Sequence, residues 1–106
     1  MKMMAFVNAY ENPESEEAQR IFQAAWQDEI EFKCKSLVKL WREARSKYPE
    51  VTVDQFGKGY LETMVDRREY NGDEDQQTMS KAINRCLTFI ALENLKEVLM
   101  QEAGLG

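Results

Sequence analysis

The sequence predicts an all-α protein: an elongated helical bundle of about three to four helices with one long N-terminal helix, forming a homodimer. Three observations carry this expectation. No Pro or Gly interrupts residues 14–48. Apolar residues recur at helical spacing in three long segments. The only β-favouring run, Val51–Thr52–Val53, is too short to form a useful strand. The 106 residues make one domain: a tail or short helix over 1–11, then an all-helical domain over 12–104.

Residues 1–11 are mildly apolar, with Met3, Met4, Phe6, Val7 and Tyr10, and lack a cap. Asn12 is the expected N-cap of the first helix, helix A, because its side-chain oxygen can accept from a first-turn amide. Pro13 suits the first helical position. Glu14, Glu16 and Glu17 complement the positive end of the helix dipole. Pro49 ends the helix. A straight helix of about 36 residues is a rod of roughly 54 Å. A compact chain of this size is only about 34 Å across. Helix A therefore bends, breaks or is partly covered by a second copy.

Its faces favour the second copy. One stripe runs Trp26, Ile30, Leu37, Trp41, Ala44 and Tyr48. Another runs Ala18, Phe22, Ala25 and Phe32, with Ile21, Val38 and Leu40 between. Together they exceed the roughly 100° stripe of an ordinary surface helix. Phe22, Trp26, Ile30, Leu37 and Trp41 are accordingly the expected dimer interface or core. The alternative is a monomer with helix A kinked near Cys34.

The second helix, expected over about 53–69, begins with Thr52 as N-cap. Gln55 three residues on completes a capping box. Val53, Phe56, Tyr60, Met64 and either Arg67 or Arg68 share one face. Gly57 and Gly59 weaken it by up to about 1 kcal/mol each. Phe56-Gly57-Lys58-Gly59-Tyr60 is no phosphate loop, because no strand precedes it; close approach of another helix, or local irregularity of this one, explains the glycines better. Tyr70–Asn71–Gly72–Asp73 is a turn, since Asn and Gly tolerate left-handed backbone. It lacks the ligand spacing of a calcium loop.

The third helix runs from about Glu74 to Ala103, with Gly104 as its stop. Its expected core face is Met79, Ile83, Cys86, Leu87, Ile90, Ala91, Leu95, Val98 and Leu99. Asn94 falls beside that stripe, either hydrogen-bonded inside or facing solvent, and the helix can break near Glu93 and Asn94.

Composition narrows function. The net charge is −5 and there is no His. A general nucleic-acid binder needs a basic face, and an anionic membrane surface repels such a chain. Without His, triads and helical Glu-x-x-His metal sites are excluded. Cys34 and Cys86 read as small buried hydrophobes, and no metal or cofactor is expected. No run is long enough to span a bilayer, and residues 1–7 lack a signal-peptide pattern, so a cytoplasmic, non-enzymatic protein is expected. Phe56, Tyr60, Arg67 and Arg68 are the candidate partner-binding residues, because aromatics with arginine anchor protein interfaces. Singly, each has a plainer reading as core aromatic or ion-paired arginine.

Helix A contains Ala18-x-x-Ile21-Phe22-x-x-Ala25-Trp26-Gln27-x-Glu29-Ile30. Arg67-x-Glu69-x-Asn71-Gly72 is followed by Asp75. These segments resemble the cyanobacterial fluorescence recovery protein family over roughly residues 15–75. The resemblance implies an all-α homodimer without enzymatic activity. Its partner would be the C-terminal domain of photoactivated orange carotenoid protein, or a related carotenoid-binding protein. It would speed return to the resting form and end photoprotective quenching at the phycobilisome. Arg67 matches the family's essential arginine. The family's tryptophan and aspartate two turns earlier are not matched: Phe56 or Gly57 and Gly59 or Tyr60 stand there. A relative with another partner therefore fits as well. The rival reading is a structural or assembly protein, such as a phage or scaffold component, whose helices serve oligomerisation alone. A third is ligand binding between the helices.

Overall fold

The computed structural model describes residues 16–102, which are all-α with no strand. Four helices and a π-helical turn follow in order: α1 (Glu16–Ala25), α2 (Gln27–Lys47), α3 (Val53–Tyr60), the π turn (Leu61–Val65) and α4 (Glu74–Glu102). The expectations for residues 1–11, Asn12, Pro13, the Ala18 side chain and the stop at Gly104 lie outside the described residues.

Helix A is not a continuous rod. It divides at Trp26, where φ is −132° and ψ 40°, eight residues before the position considered for a kink. The amide of Trp26 still donates to the Phe22 carbonyl at 2.9 Å, and the amide of Ile30 to the Trp26 carbonyl at 3.0 Å. The bend turns α1 back across α4. Phe22 is then wholly buried, and its ring stacks on Trp26 at 5.1 Å. The length problem is thus solved within one chain: α2 alone is roughly 31 Å long, inside a 42 Å long axis.

α2 and α4 form the central pair. Phe22, Ile30, Leu37 and Trp41 are buried in this core and Trp26 packs on it. The apolar surface of the first four is therefore covered by their own chain, and that of Trp26 in part.

The Thr52 capping box forms: Gln55 N–H donates to Thr52 Oγ1 at 3.1 Å, and Thr52 N–H to Gln55 Oε1 at 3.0 Å. The helix it starts ends sooner than residue 69. Asp66 N–H donates to the Leu61 carbonyl at 2.9 Å, five residues back. One extra residue is thereby inserted in the turn. Thr63 Oγ1 donates to the Gly59 carbonyl at 2.6 Å, a side-chain bond that bends helices. The inserted residue rotates the register, so Val65 enters the core and Met64 stays 58% exposed. Arg67 and Arg68 consequently lie in an irregular turn.

Gly57 is where α3 approaches α4, and a Cβ there would meet Leu92 at 3.4 Å. At Gly59 a Cβ would meet nothing within 4 Å. Gly59→Ala is therefore expected to stabilise the protein by about 0.5–1 kcal/mol, read as a higher urea midpoint. A lower midpoint would contradict the open space there.

α4 runs unbroken through Glu93 and Asn94. It is packed by α1, α2 and α3, so burial extends beyond the expected stripe to Ala82, Thr88 and Leu92. Met79, Ile83, Val98 and Leu99 are only half-buried. Lys96 ties α4 to the first turn of α3 through Asp54 at 2.9 Å.

Cys34 and Cys86 are buried free thiols. Burial pushes both up from the ordinary thiol value, Cys86 to about 11, with the Arg85 charge offsetting part of its shift. The folded state thus favours the protonated thiol. The Cys86 contribution to stability is full below the ordinary thiol pKa and is lost as pH rises through about 11. At pH 8 the native protein is expected to react with a water-soluble thiol reagent more than tenfold slower than the urea-unfolded chain. Equal rates would contradict the burial of both cysteines.

Candidate functional site

The strongest candidate is a groove between α2 on one side and Tyr60 with the π turn on the other. It is formed by two adjoining cavities that share Lys33, Tyr60 and Thr88 of α4. One end is acidic, at Asp28 and Glu29. The other is basic, at Arg67 and Arg68. Phe32, which the apolar stripes of helix A would place at an interface, stands 72% exposed at its lip. Met64, turned outward by the π turn, lines the basic end.

The four partner-site residues expected from sequence are divided by this geometry. Tyr60, Arg67 and Arg68 line the groove. Phe56 instead packs on the core, edge-on to the Trp41 ring at 5.7 Å, with its own ring 6.2 Å from Tyr60. It supports Tyr60 from behind. Asp66, adjacent in sequence, pairs with Arg85 of α4. Among the described residues, Arg67, Arg68 and Lys33 form no ion pair.

Sequence reasoning missed Lys33. It sits on the polar side of a helix-A stripe, and nothing local marks it. Its ammonium donates to Asn84 Oδ1 at 2.9 Å. Asn84 Nδ2 donates to the Tyr70 hydroxyl at 2.9 Å, which donates to the Val65 carbonyl at 2.9 Å. The Arg68 guanidinium lies 5.6 Å over the Tyr70 ring. Burial pushes the Lys33 pKa down. The nearby Arg68 charge lowers it further, against a smaller opposing effect of Glu29.

A second groove runs along the other side of α2, over Cys34, Val38, Asn94 and Val98, with Lys35 and Lys39 on its rim. Asn94 is half-buried there. No group of three or more metal-ligating side chains occurs among the described residues. No helix of these residues is long and apolar enough to cross a membrane. Comparison with family models, curated proteins and solved structures finds no match.

Proposed function

We propose that this chain is a non-enzymatic cytoplasmic regulatory protein that acts by binding another protein through the groove between α2 and the π turn. The observation that carries this reading is the coincidence of exposed apolar groups and unpaired cations in one place. Exposed apolar side chains such as Phe32 and Met64 favour a partner that covers them. Arginines without intramolecular carboxylates are ready to pair across an interface.

The resemblance to the fluorescence recovery protein family supplies the partner to try first, photoactivated orange carotenoid protein. It also supplies the homodimer. Most of the interface residues expected from helix A are buried within one chain, so a dimer in this reading uses other apolar surface, such as exposed Leu40 on α2 and exposed Tyr48 just past its end. Light scattering at one mass or two decides that part.

The test of function is the back-conversion rate of photoactivated orange carotenoid protein with and without this chain. Acceleration is expected, and Arg67→Leu is expected to reduce it more than tenfold with unchanged helicity. No acceleration would remove the carotenoid-protein partner. Equal acceleration by the variant would remove the site.

A further inference from the structure

The basic end of the groove is built in a way that docking in general does not require. Lys33 and Arg68 are two cations close enough for one to depress the other's pKa. This chain carries 19 carboxylates against 14 Lys and Arg. It pairs Arg42 with Glu102, Arg85 with Asp66 and Lys96 with Asp54. Lys33 and Arg68 make no such pair: the Glu29 charge, one turn before Lys33 on α2, acts on it, but their direct contacts are with the neutral groups of Asn84 and Tyr70.

Those neutral groups fix both cations. The bonds from Asn84 to Tyr70 and from Tyr70 to the Val65 carbonyl leave Asn84 one orientation, with its oxygen toward Lys33. Asn84 takes one of the three ammonium protons, and the others can serve an incoming acceptor. Tyr70 closes this network through its hydroxyl and carries the Arg68 guanidinium on its ring face. One residue therefore positions both cations.

We infer that Lys33 and Arg68, held by Asn84 and Tyr70, form a carboxylate-binding pocket, and that the docked partner presents an acidic side chain beside a bulky apolar one. This rests on the docking function proposed above. A carboxylate offers the two acceptors that a guanidinium and an ammonium can share. The apolar neighbour covers Phe32 and Met64. A polyanion suits the groove poorly, because Asp28 and Glu29 stand at its other end and the net charge is −5. The acidic group thus binds at the Arg68 end, which sets the direction in which the partner segment lies.

The test uses the full ¹⁵N-labelled chain with indole-3-propionate, which joins a carboxylate to an aryl ring, and its uncharged primary amide as counterpart. The carboxylate is expected to shift the signals of Lys33, Arg68 and Asn84 saturably, at least tenfold more tightly than the amide. It is also expected to raise the Lys33 pKa, since an anion favours the charged ammonium, a response a purely structural lysine would not give. Arg68→Gln, in an exposed turn, and Lys33→Met should each erase the difference between the two probes; a variant that retained it would overturn the pocket. Equal binding of both probes in the groove would overturn the carboxylate pocket and leave the docking function standing. No shift with either would overturn both.

Discussion

Phe22→Ala is expected to lower the unfolding free energy by about 3–5 kcal/mol. Phe22 is wholly buried, stacks on Trp26 and belongs to the same core as Ile90 and Leu95 of α4. Such a loss is a large share of the roughly 5–15 kcal/mol that holds a domain of this kind. It should also be local. α1 is ten residues long, and an isolated helix of that length is marginal in water. Docking on α4 is what holds it. Amide exchange should therefore show α1 opening in the variant under conditions where α2 and α4 stay protected. A loss below about 1 kcal/mol, or unchanged protection of α1, would mean that helix A does not fold back at Trp26.

Gly72→Ala is expected to destabilise by about 2–3 kcal/mol, combining backbone strain with loss of a cap. Gly72 has φ +106°. A Cβ there would lie 2.3 Å from Gln76 Oε1 and 2.9 Å from Gln76 Cβ. Gln76 cannot simply swing aside. Its side-chain oxygen accepts from the Asp73 backbone N–H at 3.1 Å, while its own backbone N–H donates to Asp73 Oδ1 at 2.9 Å. That reciprocal pair starts α4, and Gln77 Nε2 adds a bond to the Gly72 carbonyl at 2.7 Å. Because the preceding turn carries Arg67, Arg68 and Tyr70, the variant should also weaken docking. Urea denaturation checks the first effect. A change below about 0.5 kcal/mol would contradict the strained position, and the contrast with Gly59→Ala makes the sign informative.

Features with local chemical signatures were legible in the sequence. Thr52 and Gln55 announce a cap through their side-chain groups, and Asn71–Gly72 a turn through its tolerance of positive φ. Arg67 and Tyr60 stood out because their residue types suit interfaces. What escaped depends on tertiary contact. The bend at Trp26 falls in Ala24–Ala25–Trp26, where no Pro or Gly marks it, and is set by Phe22 docking on α4. The π turn has no residue signature, yet its extra residue exchanges Met64 for Val65 in the core and takes Arg67 and Arg68 off the helix. Leu92 and Thr88 became core because α4 is surrounded on three sides. Phe32 is chemically indistinguishable from Phe22 in a sequence pattern, and only packing separates the exposed ring from the buried one. Lys33 entered the site through Asn84, 51 residues away.

The groove as a docking face is tested most directly by amide hydrogen exchange on the full chain, alone and with the C-terminal domain of orange carotenoid protein. New protection is expected over residues 60–68 and over the α2 turn around Phe32 and Ser36, with the second groove, at Val38 and Val98, unchanged. No new protection, or protection confined to the second groove, would rule out docking through the groove between α2 and the π turn.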